Sequence, residues 1–126
     1  MTAVLDASAL LALLHEEPGW QTVDQAIEGS VMSAVNLAEV VSKLEERSYG
    51  TDRARANIAA SAIEIVPFDE QAAFESGRLR TATRKAGLSL GDRACLVLAR
   101  TRKLPVLTTD RAWTKLDIGV EIRAIR

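Results

Sequence analysis

The sequence predicts an α/β protein in which helices cover both faces of a parallel sheet, a three-layer α/β/α sandwich. Short apolar or β-branched runs alternate with longer segments of helical periodicity along the whole chain. Glycine, proline or a small polar residue separates most of these segments. Strands separated by helices need right-handed crossovers, so neighbouring strands run parallel and are buried on both faces.

The first half of the chain begins with the strand 2–6 and the helix 7–17. A second helix at 19–29 is bounded by Pro18 and Gly29. A small strand at 31–33 leads to Ser33 as the N-cap of a third helix that ends near Ser48. The apolar stripe of that helix is formed by Leu37, Val40, Val41 and Leu44, and a fourth helix is predicted at 51–62.

The second half contains three more strands, at 63–68, 104–109 and 120–125. Between them we predict a long amphipathic helix at 69–86, which would bury Ala72, Ala73, Leu79 and Ala82. "GLSLGDRACLVLAR" (87–100) starts the next helix with Ser89 as N-cap, and 110–116 forms a short helical turn. Gly91 would let the first turn of that helix come close to a ligand.

Length and composition indicate one globular domain, 1–126, with 48% hydrophobic and 26% charged residues. The single cysteine, Cys95, lies among apolar residues, which favours an inert buried thiol in a reducing compartment. The apolar run 7–14 follows Asp6 instead of a basic segment and is too short to span a bilayer. We therefore expect a cytoplasmic protein without a membrane segment.

The net charge of −1 conceals a strong asymmetry. Residues 1–52 hold nine acids and two bases, whereas 53–126 hold eight acids and fourteen bases. The segment 78–103 has eight bases and a single acid, Asp92. Such a run is typical of a solvated helix face, but it also suits a polyanionic substrate. Five aromatic residues in the whole chain argue against a protein that grips nucleic acid by base stacking.

Three aspartates lie at predicted helix starts. Asp6 and Asp110 each follow a strand, at the sheet edge where ligands of parallel α/β folds bind, and either one can equally be a helix N-cap. Asp92 lies three residues after Ser89, which is close to a capping box.

Glu39 is a weaker candidate from periodicity alone. The apolar stripe of its helix points almost opposite to it, which predicts solvent exposure and an i,i+4 pair with Lys43. Glu39 faces a cleft only if that side of the helix is turned toward the carboxyl edge of the sheet.

Carboxylates that converge at one edge repel each other unless a cation joins them. The chain has no Cys/His ligand set, since His15 is its only histidine and is expected at the surface or boundary. A hard, oxygen-preferring ion such as Mg²⁺ or Mn²⁺ is the fitting choice. The sequence has no P-loop, dinucleotide fingerprint or Ser-His-Asp set.

Four stretches, "VLDASALLALLHEEPG", "SAVNLAEVVSKL", "GLSLGDRACLVLA" and "LPVLTTDRAW", closely resemble the PIN-domain ribonucleases, specifically the VapC-like toxins of toxin–antitoxin modules. The resemblance covers nearly the whole chain and implies a PIN-like fold with a five-stranded parallel sheet. It assigns catalytic and metal-binding roles to Asp6, Glu39, Asp92 and Asp110, and supporting polar roles to Ser8, Asn36 and Thr108.

The resemblance further implies a Mg²⁺- or Mn²⁺-dependent endoribonuclease that cleaves tRNA or rRNA. It also implies a homodimer and a VapB-like antitoxin that forms a hetero-oligomer with the toxin and blocks the site. Arg84, Lys85, Arg93 and Arg111 are the bases expected to contact the RNA backbone. The alternatives are a PIN-type nuclease of RNA processing or DNA metabolism, a receiver-like signalling domain and a catalytically silent binding module.

Overall fold

A computed structural model describes all residues of the chain, 1–126. Five strands form one parallel sheet in the order β3-β2-β1-β4-β5. The strands are β1 (Val4–Leu5), β2 (Val31–Ser33), β3 (Glu64–Val66), β4 (Val106–Thr108) and β5 (Ile122–Ala124). The first strand is therefore central, and the chain builds outward first on one side and then on the other. This order makes the β1/β4 boundary the place where the winding direction reverses, which is where such sheets bind ligands.

Six α-helices connect or flank the strands, with a 3₁₀ turn at Arg84–Ala86 and another at Arg111–Lys115. The helices are α1 (Ala7–Leu14), α2 (Trp20–Ala26), α3 (Ala34–Glu46), α4 (Thr51–Ala60), α5 (Glu70–Ala82) and α6 (Leu90–Arg102). The predicted fold class is confirmed, and the strands are shorter than the sequence pattern indicates.

The predicted helix 69–86 is corrected in two respects. It is α-helical only to Ala82, and a 3₁₀ turn replaces its last residues. Ala73 and Ala82 are exposed, whereas Ser76 and Thr83 are buried. Together with Leu79, these two polar residues recur at three- and four-residue spacing, so they form the face that packs on α6.

The core lies on both faces of the sheet, because successive residues of a strand point to opposite sides. Leu5, Met32 and Leu107 pack with residues of α1–α4. Val4, Val31 and Val106 pack on the other face, where α6 supplies most of the partners. Cys95 belongs to this second layer and is completely buried, as predicted; burial raises the pKa of its thiol well above the usual range.

None of the helices combines the length and the apolar character needed to cross a bilayer.

Candidate active site

Asp6 and Thr108 lie side by side because of the register between the two central strands. Leu5 of β1 is opposite Leu107 of β4, so the next residue of each strand emerges at the same point of the carboxyl edge. The Thr108 hydroxyl donates to Asp6 Oδ2 at 2.5 Å. On its other oxygen, Asp6 Oδ1 accepts the backbone N–H of Ala9 at 2.9 Å and so caps α1. The N-cap interpretation of Asp6 is therefore correct, and it accounts for one oxygen only.

Two hydroxyl groups connect Asp6 to the loop that follows β4. Ser8 donates to Asp6 Oδ1 at 2.7 Å and accepts the Thr109 backbone N–H at 3.0 Å. Thr108 accepts the backbone N–H of Asp110 at 3.0 Å while it donates to Asp6. Each hydroxyl oxygen accepts a hydrogen bond from a backbone N–H, and its own proton is donated to the Asp6 carboxylate. The donor–acceptor direction of both hydroxyl groups is therefore fixed. The Asp6 carboxylate is thereby held in one orientation at the edge of the sheet.

The electrostatic state of Asp6 reflects its burial, because only 6% of its surface is exposed. Desolvation raises the pKa of the Asp6 carboxyl, and the bonds from Thr108, Ser8 and Ala9 lower it without cancelling that effect. The negative charge of Asp92 adds a smaller upward contribution. Asp6 thus carries an unfavourable charge that a cation would stabilise.

A polar cleft of about 280 Å³ opens beside Asp6 at this edge. Six of the seven acidic and supporting polar residues expected from the sequence line it, and the seventh, Thr108, is buried against Asp6. The lining residues are Asp6, Ala7, Ser8, Leu11, Asn36, Glu39, Lys43, Asp92, Thr109, Asp110 and Trp113. No three acidic, histidine or cysteine side chains lie close enough together to hold a metal ion as they stand. The four acids surround one space without forming a ready-made ligand cage.

Asp92 and Asp110 both serve as helix caps. Asp92 Oδ2 accepts the backbone N–H of Ser89 at 3.0 Å, and the Ser89 hydroxyl accepts the Asp92 N–H, so the capping box is complete. Asp110 Oδ1 accepts the Ala112 N–H at 3.0 Å. In each case a single oxygen makes the cap, and the other oxygen has no hydrogen bond within the chain. Capping and ligation are therefore compatible for both residues.

Glu39 lines the cleft, which the periodicity of its helix does not predict. It is only partly exposed and forms no ion pair with Lys43, so the i,i+4 interpretation is wrong. Its Oε1 accepts from Asn36 Nδ2 at 2.8 Å, and the same amide donates to the Gly91 carbonyl at 3.0 Å. The space left by the absent side chain of Gly91 is thus occupied by the Glu39 carboxylate and is not open to a ligand.

The four bases expected to contact RNA do not line this cleft. Arg84, Lys85 and Arg111 are exposed outside it. Arg93 is 9% exposed and donates to the Ser76 carbonyl at 2.8 Å, so its guanidinium is used in the contact between α5 and α6. The expectation that Arg93 contacts the RNA backbone is therefore corrected. Its long side chain, at the start of α6, turns inward and donates to a buried carbonyl of the protein.

Five lining residues were not expected from the sequence, among them one base and one aromatic residue. Lys43 is the only base in the cleft, and it makes no ion pair. Its position one turn after Glu39 is a usable signal once Glu39 is known to face the cleft. Trp113 is buried in the 3₁₀ turn that follows Asp110, and its indole Nε1 has no hydrogen-bond partner.

A larger groove of about 460 Å³ runs between α5 and α6, beside the residues that follow β3. None of the four candidate acids lines it. The convergence of ionisable groups therefore identifies the smaller cleft as the candidate site, in spite of its size.

Comparison with known proteins agrees with this fold. The family model described as "PIN domain" matches residues 3–119. A toxin–antitoxin complex from Klebsiella pneumoniae contains a chain that is 20% identical, with 99% of this chain and 98% of that chain covered and a TM-score of 0.76. FitAcB from Neisseria gonorrhoeae is 19% identical over 98% of both chains, with a TM-score of 0.72.

A third structure is VapBC-5 from Mycobacterium tuberculosis, 28% identical over 99% of this chain and 98% of that chain, with a TM-score of 0.60. No curated protein sequence matches the chain. The family model spans nearly the whole sequence, and the matched range includes the four acids that line the cleft. The chain belongs to the PIN-domain family.

Proposed function

We propose that this PIN domain is a divalent-metal-dependent endoribonuclease that acts as the toxin of a toxin–antitoxin pair. PIN domains are nucleases, which gives the general class of the activity. The observation that carries the finer proposal is the single cleft lined by Asp6, Glu39, Asp92 and Asp110 at the carboxyl edge of the sheet.

The donor chemistry of the cleft fits Mg²⁺ or Mn²⁺. All candidate ligand atoms are oxygens, which hard divalent cations prefer. Asn36 Oδ1 is buried and has no donor, because both contacts of this amide are made by its nitrogen. The hydration shell of a bound ion would supply such a donor. The carboxylates must draw together to bind, since no three of them form a cluster at present.

Asp6 and Asp92 are the proposed main ligands, with Glu39 and Asp110 completing the shell directly or through water. A bound ion would supply an activated water and neutralise charge that builds on the scissile phosphate. The chain itself contributes orientation: Ser8 and Thr108 hold the Asp6 carboxylate, and Asp110 keeps one oxygen outside its cap bond. That free oxygen of Asp110, or Glu39, orients the attacking water.

The proposed substrate contacts are electrostatic. Lys43 is the cation inside the cleft and contacts the phosphate backbone beside the reacting group. Arg84, Lys85 and Arg111 are exposed and bind phosphates further along the strand. Contacts of this kind position RNA without reading its sequence, so the choice of tRNA or rRNA rests with the shape of the substrate.

The proposed partners are a VapB-like antitoxin and a second copy of this chain. Similar folds occur in toxin–antitoxin complexes from Klebsiella pneumoniae and Mycobacterium tuberculosis. Others are described as DNA-bound VapBC from Salmonella typhimurium and FitAB bound to a DNA fragment. We propose that this chain forms a homodimer, and that its antitoxin closes the acidic cleft of each copy.

The test combines RNA-end mapping with growth. Controlled induction of the wild type should arrest growth and produce discrete new ends in tRNA or rRNA, and purified protein should reproduce them with Mn²⁺. Asp6→Asn should abolish both effects with unchanged circular dichroism. New ends confined to precursor RNA, or cleavage of DNA alone, would favour the processing or DNA-metabolism alternatives. RNA cleavage that persists after chelation of all divalent cations would refute the metal mechanism.

A further inference from the structure

Glu39 differs from the other three cleft acids in how it is held. Asp6 and Asp110 are N-caps and Asp92 belongs to a capping box, so backbone N–H groups at helix starts fix all three. Glu39 lies in the middle of α3, where no free backbone N–H is available. Its position must come from tertiary contacts.

Asn36 supplies the first of these contacts. It is 1% exposed, and its Nδ2 donates to Glu39 Oε1 at 2.8 Å and to the Gly91 carbonyl at 3.0 Å. Both partners are acceptors, so only this orientation of the amide satisfies them. The bridge connects α3 to the first turn of α6.

Gly91 supplies the second. A Cβ at this position would lie 2.4 Å from Glu39 Oε1, 2.6 Å from Cδ and 2.7 Å from Oε2. The carboxylate therefore occupies the space that any side chain at position 91 would need. Gly91 has no positive φ, so its backbone conformation does not require glycine. The requirement is steric and comes from Glu39.

We propose that Gly91 and Asn36 are positioning residues that seat the Glu39 carboxylate in the cleft. Gly91 provides the space, and Asn36 binds one carboxylate oxygen and leaves the other without a hydrogen bond within the chain. We call the space over Gly91 together with the Asn36 amide the Glu39 seat. Its existence follows from the contacts described above, and only its purpose, metal binding, rests on the proposed function.

The seat predicts an unusual outcome for Gly91→Ala. The atoms in the way are the flexible end of Glu39, so the helix survives and the carboxylate is displaced. Alanine also has the higher helix propensity, which favours the fold. Loss of an ion's supporting contacts typically costs ten- to hundredfold in metal affinity, and a similar loss is expected here.

Gly77→Ala is a matched control. Gly77 also lies in a helix, α5, and a Cβ there meets nothing within 4 Å. Two readouts are compared in the full chain: the side-chain amide resonance of Asn36 in ¹H–¹⁵N spectra, and Mn²⁺ affinity by calorimetry. Glu39→Asp is made alone and together with Gly91→Ala.

The expected result is a displaced Asn36 side-chain resonance and at least tenfold weaker Mn²⁺ binding in Gly91→Ala, with neither change in Gly77→Ala. Glu39→Asp should weaken binding in the wild type and add little to Gly91→Ala, because the carboxylate has already moved. If Gly91→Ala matches Gly77→Ala in both readouts, the seat does not exist. If the wild type binds no Mn²⁺, the proposed function fails, and the Asn36 resonance then decides on the seat alone.

Discussion

Replacement of Asp6 by asparagine separates its observed role as a helix cap from its proposed role as a metal ligand. Asparagine keeps an oxygen for the Ala9 N–H and for the Ser8 hydroxyl. Its nitrogen faces Thr108 Oγ1, a hydroxyl oxygen that can accept as well as donate. Asp6→Asn therefore preserves the cap bond and the Ser8 bond and removes the charge, while the bond to Thr108 reverses its direction. Asp6→Ala removes the bonds as well and leaves the buried Ala9 N–H without a partner.

The sign of the effect follows from the raised pKa of the Asp6 carboxyl, which is caused by burial. The protonated form is favoured in the fold, so this group contributes stability below its unfolded-state pKa and loses it as pH rises through the folded-state pKa. At neutral pH the ionised carboxylate opposes folding. Metal-free Asp6→Asn should consequently be at least as stable as the wild type, and any advantage should fade as pH falls.

The magnitudes are large enough for thermal unfolding. Loss of the cap and of buried hydrogen bonds should make Asp6→Ala less stable than Asp6→Asn by about 2 kcal/mol, or about 7 °C for a domain of this size. An ion present at a hundredfold excess over its dissociation constant stabilises a binding-competent protein by about 2.7 kcal/mol, or about 10 °C. Mn²⁺ should therefore raise the Tm of the wild type and leave that of Asp6→Asn unchanged.

Asp69→Asn is the control for this experiment. Asp69 is the N-cap of α5 and accepts the Ala72 N–H at 2.8 Å, but it lies outside the acidic cleft. It should retain the full Mn²⁺ response. The reasoning is refuted if Asp6→Asn loses as much stability as Asp6→Ala while Mn²⁺ leaves the wild type unaffected, because Asp6 would then be a cap and nothing more.

Three further measurements test neighbouring features. Lys43→Gln should weaken RNA binding and reduce the slope of log K for RNA binding against log salt by about 0.7, with Mn²⁺ affinity equal or higher. The control Lys103→Gln lies outside the cleft and should leave this slope unchanged. An unaltered slope in Lys43→Gln would exclude a phosphate contact. Ser89→Ala should lose about 1 kcal/mol of stability and keep RNA cleavage, whereas Asp92→Asn should lose cleavage and little stability. If Asp92→Asn instead loses stability and keeps cleavage, Asp92 is a cap only. Cys95 should resist thiol reagents until the protein unfolds, because burial raises its pKa; rapid labelling of the native protein would contradict this.

The sequence predicts those parts of the site that depend on strand ends. Asp6 and Asp110 follow strands that are recognisable from their apolar residues, and parallel strands bring their carboxyl ends to one edge. The contact between Asp6 and Thr108 then follows from the register of β1 and β4. Asp92 is predictable as a cap because the two members of a capping box are only three positions apart.

The remainder depends on contacts between residues far apart in sequence. The inward turn of Arg93 toward the Ser76 carbonyl depends on the packing of α5 against α6, and a basic run alone cannot distinguish it from a solvated face. The run 78–103 is in fact partly used within the fold, since Arg102 pairs with Glu64 and Arg78 with Glu75. The basic side chain of the cleft comes instead from Lys43, in the acidic half of the chain.

The four acids also differ in the contacts by which the chain itself holds each carboxylate. Helix N-termini attract anions, so Asp6, Asp92 and Asp110 gain favourable backbone contacts at the places where the fold needs caps anyway. Glu39 has no backbone contact of this kind. Its carboxylate is held by the Asn36 side-chain amide of the same helix and fits only because Gly91 of α6 has no side chain. A glycine within a helix lowers stability by roughly 1 kcal/mol relative to alanine, and Gly91 has no positive φ that would require it. This loss of stability is explained if glycine at position 91 is needed to leave room for the Glu39 carboxylate.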